Sequence, residues 1–459
     1  MSDMSDLSDL SNTIQKHTPP LGMLHAAMIE RYTTPEMRDL WSEENKYRTW
    51  LEVEVAICEG LAHYGYIPQE AARTIREKAR FDLARIAELE QITRHDVMAF
   101  VLNLAENVGE AGRWLHFGVT SYDVVDTALA LRLKQSVELI LQACEELMGE
   151  IARLAKAHLH TPMIGRTHGI HAEPITFGFK LLGWYAEMAR HRERLKQAME
   201  EIAVGKIAGA VGIHAHIDPR VEEYVCAQLG LKPDPAATQI VARDRHATLM
   251  AHLAVLAASL EKFATEIRNL QRTEIREVEE PFAAGQTGSS AMPHKRNPWN
   301  CETISGLARV VRGNLIAVLE SVATWHERDL TNSSVERITL PDTCTLVHWM
   351  LKKLTTILQG LRVFPEQMQR NLELLQGLPY SEHVMLALIR AGLSREHAYR
   401  LVQRNAMRVW EEGIAFLDAL LQDEEIRTHL SEEAIRECLN LQHHLRYVEI
   451  TRQRVGLDH

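Results

Sequence analysis

Between Pro281 and Pro298 the chain reads PFAAGQTGSSAMPHKRNP, with paired serines at Ser289 and Ser290 and a His-Lys-Arg cluster from His294 to Arg296. This composition suits capture of an anion. Glycines let backbone N–H groups approach a carboxylate, and Lys295 or Arg296 supplies the charge. A loop of this length is more often functional than structural. A serine in it becomes a useful base only if its alkoxide is stabilised, and Lys295 and the neighbouring N–H groups are the candidates. Residue chemistry alone does not choose among Ser289, Ser290 and His294.

The 23 histidines raise a second possibility, metal catalysis, with His168/His171 and His214/His216 as the best ligand pairs. There is no HExxH. The six cysteines, Cys58, Cys144, Cys226, Cys301, Cys344 and Cys438, are far apart and form no CxxC. Neither a thiolate metal site nor a disulfide framework is expected, and the cysteine pattern points to the cytoplasm.

Groups so dispersed need long, stiff elements to position them. No proline occurs between Pro68 and Pro162, and Val137, Ile140, Cys144, Leu147, Ile151 and Leu154 recur at alternating steps of four and three, the stripe of a long buried helix. Thr120 and Ser121, followed by Asp123, supply its capping signal. Leu249, Leu253, Leu256, Leu260, Phe263, Ile267 and Leu270 form a second stripe in the proline-free span between Pro235 and Pro281, predicting a helix of ~45 residues. Shorter helices are expected after Pro174, Pro298 and Pro341, with caps further on at Ser394 and Ser431. Strand-like alternation is nearly absent, although Val204 to Ile217 could hold a short hairpin. A coiled-coil scaffold is the plain alternative to an enzyme with a helical core.

At 459 residues the chain is expected to form about three domains. Charged residues are 25% and aromatics 6%, the balance of a soluble globular protein with an aliphatic interior. The net charge of −11 argues against nucleic-acid or membrane partners, so an anionic substrate must be met by a local cationic cluster. Residues 1–27 open with a Met-Ser-Asp-type repeat and read as a disordered tail. The expected division is then 28–120, an N-terminal helical domain; 121–368, a central bundle of long helices; and 369–459, a C-terminal helical domain.

GSSAMPHKRNP (Gly288 to Pro298) resembles the signature of the fumarase/aspartase superfamily, homotetrameric lyases that release fumarate and are built around long helical bundles. MIERY, TRHDV, WLHFGVTSYDVVDTA, GRTHGIHAEPITFG, TQIVARDRH and WHERDLTNSSVERITLPD resemble its adenylosuccinate lyase branch in the shorter bacterial form, from Met28 onward. Argininosuccinate lyase, fumarase and the muconate-cycloisomerising branch are the alternatives within the superfamily. The resemblance implies an all-α fold, no cofactor and no metal, and two small-molecule substrates, adenylosuccinate and the succinyl-aminoimidazole carboxamide ribotide (SAICAR). It implies that His168 is the general acid, a role that suits an imidazole with a reference pKa of ~6.5. Ser289 matches the general base, Glu302 the carboxylate that orients the acid histidine, and Lys295 and Asn297 the groups that hold the succinyl carboxylates. By the same matching His95 serves in catalysis and binding, and Arg31, Tyr32, Arg94, Asp96, His116, Thr120, Ser121, Gln239, Arg328, Ser333 and Arg337 contact the phosphate, ribose, base or succinyl group. A ~36-residue helix between Thr120/Ser121 and His168 would hold them ~50 Å apart, so the expected homotetramer must share its active sites between subunits.

Overall fold

The computed structural model describes residues 29–282, 285 and 288–457; the expected tail, residues 1–27, lies outside them. The order of the main elements is α1 (Pro35–Leu40), α2 (Glu43–His63), α3 (Gln69–Lys78), α4 (Leu83–Thr93), α5 (Asp96–Val108), α6 (Ser121–Ala157), β1 (Pro162–Thr167), β2 (Ile170–Thr176), α7 (Phe177–Ile202), β3 (Val204–Gly205), α8 (Pro219–Gln228) and β4 (Lys232–Pro233). These are followed by α9 (Asp244–Leu270), β5 (Val278–Glu279), α10 (Trp299–Glu320), α11 (Thr331–Gln359), β6 (Arg362–Val363), α12 (Pro365–Glu373), α13 (Ser381–Arg390), α14 (Arg395–Glu412) and several short helices up to Arg454. The fold is all-α, with strands only in three two-stranded pairs among the described residues.

The residues fall into two compact units, each assembled from separate stretches of chain. The first comprises residues up to Ser136 with Ala203–Arg243 and Ser321–Thr345; the second comprises Val137–Ile202, Asp244–Glu320 and the chain from Leu346 onward. In the first unit Tyr47, Trp50 and Phe100 pack ring against ring at the centre of an aliphatic core. In the second, α9 packs against α7 and α10, and Val384 to Cys438 enclose a further core among the C-terminal helices. All six cysteines are buried and unpaired, three in each unit.

Helix α6 has the expected extent, 37 residues, and every residue of its stripe is buried. Its start is a reciprocal cap: the Thr120 N–H donates to Asp123 Oδ2 at 2.7 Å and the Asp123 N–H to the Thr120 carbonyl at 2.9 Å. Helices α7 and α10 begin just after Pro174 and Pro298, as expected. Helix α9 is long and apolar enough by length and composition to cross a membrane, but 61% of its most apolar window is buried inside the fold, the pattern of a core helix.

Three expectations need correction. Helix α9 has 27 residues instead of ~45. Before it, Val241 and Arg243 are held in a buried ion network, and after it the Glu277 N–H turns back to the Leu270 carbonyl while Arg276 adopts the left-handed conformation (φ 51°). Helix α11 starts ten residues before Pro341 and contains it. An interior proline costs about 3 kcal/mol, here offset by burial of Leu340, Cys344, Val347, Leu351 and Leu354 on one face. Finally, Val204 to Ile217 forms no hairpin; Val204 and Gly205 pair in parallel with Lys232 and Pro233. The longest strand pair, antiparallel β1–β2, lies instead around His168.

Candidate active site

In the second unit, His168 and Gly169 are the two residues between the paired positions Thr167 and Ile170. A two-residue hairpin turn of type I′ requires positive φ at both, and His168 (φ 55°) and Gly169 (φ 79°) have it. Histidine is among the side chains that tolerate this region best. The imidazole therefore stands exposed at a hairpin tip, with no hydrogen-bond partner among the described residues. The base of the hairpin is anchored by Arg166, whose two terminal nitrogens reach the Glu277 carboxylate at 3.0 and 2.7 Å. Glu277 is fully buried and also accepts from Asn371 of α12 at 2.8 Å.

Glu277 opens the short segment that leads into the glycine-rich loop. Two residues on, Glu279 pairs with Arg296 at 2.9 Å and Arg362 at 2.8 Å. Next to it the buried Glu280 accepts from the backbone N–H groups of Asn300 and Cys301, both at 3.2 Å, closing the N-terminus of α10. Both ends of the loop are thereby tied down. Inside it, a Cβ at Gly288 would lie 2.3 Å from the Lys295 carbonyl oxygen, so only glycine lets the chain double back. Asn297 Nδ2 then donates to the Gly288 carbonyl at 3.1 Å.

Ser289 Oγ accepts from the N–H groups of Ala291 at 3.3 Å and Met292 at 3.2 Å. Of the two kinds of group that could stabilise its alkoxide, the N–H groups are in place; the Lys295 side chain is exposed and makes no hydrogen bond among the described residues. Glu302, in the first turn of α10, is also exposed and makes no hydrogen bond to His168 in the chain as described. Lys295, Asn297 and Glu302 share one cleft of about 1260 Å³, walled on its other sides by Arg268, Arg272 and Arg370.

The first unit holds the remaining candidates. Arg31 and Tyr32 lie in a single 3₁₀ turn, Glu30–Tyr32. Arg94 ends α4 in the left-handed conformation, and His95 caps α5 through Nδ1, which accepts from the Met98 N–H at 3.4 Å. Asp96 takes Arg337 of α11 at 2.5 Å. Burial alone would push its carboxyl up, but the Arg337 guanidinium outweighs burial and holds it below the usual range. His116 donates its backbone N–H to Glu54 Oε2 at 3.1 Å, with its Nδ1 2.6 Å from Oε1 of the same fully buried carboxylate. Burial opposes the imidazolium, yet Glu54 wins and raises the His116 pKa. Thr120 and Ser121 stand at the start of α6.

A third group of candidates meets around Tyr122. The Arg328 guanidinium lies 3.5 Å from the centre of its ring and donates to Gln239 at 3.1 Å, while burial raises the Tyr122 pKa against the opposing influence of Ser333 and Arg328. Beneath them sits a network that residue-by-residue reading missed. Arg243 grips Asp126 of α6 at 2.7 and 2.8 Å and Glu336 of α11 at 2.7 and 3.0 Å, all three nearly sealed from solvent. It also donates to the Val241 carbonyl at 2.7 Å, and the Val241 N–H donates to Asp126 at 2.8 Å. One buried cation thus fixes the segment bearing Gln239 and the turn of α11 bearing Ser333 and Arg337. Arg243 and Arg166 were visible inside the motifs TQIVARDRH and GRTHG; their carboxylate partners, far away in sequence, carried no signal.

The long-helix fold is that of a lyase of the fumarase/aspartase type, and residues 30–313 match the family model described as Lyase. Residues 377–455 match the model described as adenylosuccinate lyase C-terminus. The adenylosuccinate lyase of Synechocystis sp. is 54% identical over 419 residues, covering 91% of this chain and 97% of the relative, and that of Bacillus subtilis is 52% identical over 430 residues, covering 94% and 100%. Among solved structures, a fumarate lyase from Mesorhizobium sp. BNC1 superposes with a TM-score of 0.86 at 30% identity, covering 93% of this chain and 99% of its own. A 3-carboxy-cis,cis-muconate lactonizing enzyme from Pseudomonas putida gives 0.84 at 32%, covering 92% and 96%. The chain belongs to the adenylosuccinate lyase family.

Proposed function

We propose that this chain eliminates fumarate from adenylosuccinate, giving AMP, and from SAICAR, giving the free carboxamide ribotide (AICAR). The reaction needs a base for a weakly acidic proton beside a carboxylate, an acid for the departing nitrogen, and positive charge on the carboxylate as a carbanion develops. The observation that carries the reading is the Ser289 turn: a hydroxyl under two N–H donors, beside a cationic cleft that holds Lys295, Asn297 and Glu302. Ser289 takes the proton, Lys295 and Asn297 hold the succinyl carboxylates, and His168, oriented by Glu302, protonates the leaving nitrogen. The cluster in the first unit, with Arg337, Ser333 and Gln239, receives the nucleotide, and His95 of the same unit serves in both catalysis and binding. Each of these steps is assigned to a side chain of this protein, without a cofactor or metal.

The active unit we propose is a homotetramer. The unbroken 37-residue α6 spans ~55 Å at ~1.5 Å per residue. Thr120 and Ser121 stand at its start and His168 follows its end, so one substrate cannot bridge them along a single chain. Glu302 lacking a bond to His168 in one chain fits pairing across subunits. We place the protein in the cytoplasm, where six unpaired thiols stay reduced, and give it no nucleic-acid or membrane partner in view of its net charge of −11. The closed C-terminal core supports a domain over residues 369–459, beside those at 28–120 and 121–368.

The test is an assay of the chelator-treated chain with adenylosuccinate. Equal amounts of AMP and fumarate are expected. Cleavage of argininosuccinate instead, or turnover only after Zn²⁺ is restored, would replace this reading.

A further inference from the structure

The cleft beside the catalytic loop holds more positive charge than the proposed reaction has used. Its walls carry Arg268, Arg272, Arg276, Lys295, Arg296 and Arg370 against only Glu279, Glu302 and Glu366. Glu279 is already taken by Arg296 and Arg362. Arg268 reaches Ser305 at 3.2 Å, and Arg272 comes only within 3.6 Å of Glu274. Arg276 and Arg370 are exposed and have no carboxylate partner among the described residues. In a chain of net charge −11, a concavity lined by six cationic side chains, two of them guanidinium groups with no carboxylate partner among the described residues, creates a focused positive potential.

We propose that Arg272, Arg276 and Arg370 form a dicarboxylate site at the mouth of this cleft, which gathers fumarate as it leaves the loop and steers it inward in the reverse reaction. The position of the loop residues selects the ligand. Lys295, Asn297 and Glu302, on the succinyl side of the proposed chemistry, line the same cleft, whereas Gln239, Ser333 and Arg337, which we assign to the nucleotide, all lie in the other unit. The cleft, about 1260 Å³ against the roughly 300–1,000 Å³ of ordinary ligand pockets, has room for a waiting dianion beyond the reacting one. Guanidinium forks match carboxylates two bonds at a time, so two or three of them suit a short dicarboxylate. The naming of fumarate rests on the proposed function; the anion site itself rests on the cleft.

Fumarate is titrated calorimetrically into the full-length wild type and the Arg276→Ala/Arg370→Ala double variant at low salt, without nucleotide, and the reverse reaction is followed in both. Fumarate should bind the wild type and bind the variant at least about tenfold more weakly, and the reverse KM for fumarate should rise by a similar factor while that for AMP moves less than about twofold. Arg276→Lys/Arg370→Lys should recover part of the loss. Equal fumarate affinity in wild type and variant, or a parallel rise in both KM values, would overturn the site. Inorganic phosphate binding more tightly than fumarate, and lost with the same arginines, would overturn the dicarboxylate assignment. Arginine-dependent fumarate binding by a wild type that does not cleave adenylosuccinate would leave the site standing and reject the proposed function instead.

Discussion

In the first unit the polar candidates are interlocked: Arg243 with Asp126 and Glu336, Lys206 with Asp123, His116 with Glu54, and Arg337 with Asp96. In the second, His168, Lys295 and Glu302 stand exposed on a hairpin tip, a loop and a first helical turn without ion-pair partners among the described residues. The difference has a physical logic. Groups that bind a preformed nucleotide gain from being fixed in advance, because their ordering is completed during folding. Groups that move protons must stay open to the substrate, and their own partner is the reacting atom. The cost of the first arrangement is desolvation, which makes each buried pair sensitive to loss of one member.

The comparison breaks most visibly at Arg243. Arg243→Ala leaves Asp126 and Glu336 buried without their cation and should destabilise the protein by about 3–5 kcal/mol. Thermal denaturation reads this, and a transition within about 2 °C of wild type would mean that the buried network is not what holds the first unit's site. In the second unit the effect should be on chemistry alone. His168→Gln and Ser289→Ala should each lower turnover by at least ~10²-fold with thermal transitions close to wild type. If the two residues serve one site from different chains, co-refolding the two inactive variants at equal ratio restores roughly a quarter of normal activity (one half times one half). Verified mixed tetramers with none would refute sharing.

The smallest effect sharpens the comparison through pH. His116 has a raised pKa in the folded state, so its bond to Glu54 contributes fully below the unfolded value of ~6.5 and fades as pH rises through the folded value. Glu54→Gln should therefore cost about 1 kcal/mol more at about pH 6 than at about pH 8.5. Denaturant titrations at the two pH values decide it, and an equal or reversed difference would place the stabilisation elsewhere.

The same contrast governs what could be read from the chain. Helix α6 was legible because its stripe from Val137 to Leu154 lies on one element and repeats. The β1–β2 hairpin was not: its strands are short, and the turn signal is a His-Gly pair instead of the commoner Asn-Gly or Asp-Gly. The catalytic candidates could be proposed because most of them lie inside short recognisable segments, TRHDV for His95, GRTHG for His168 and GSSAMPHKRNP for Ser289 and Lys295. The buried carboxylates that hold the first unit together could not, since Glu54 and His116 are 62 positions apart and Asp126 and Arg243 are 117 apart, with nothing local to link them. Helix α9 was overestimated because the absence of proline between Pro235 and Pro281 permits a helix without requiring one.

The six buried thiols have a consequence for how the protein could be observed. Burial pushes the Cys144, Cys226 and Cys344 thiols up to about 12 and raises those of Cys58, Cys301 and Cys438 as well. Thiol reagents attack the thiolate, so at neutral pH the intact fold is nearly silent to them. Cys58, Cys226 and Cys344 belong to the first unit, and Cys144, Cys301 and Cys438 to the second. Labelling under native conditions is thus a built-in clock for local opening, and the identity of the first cysteine to react names the unit that opens first.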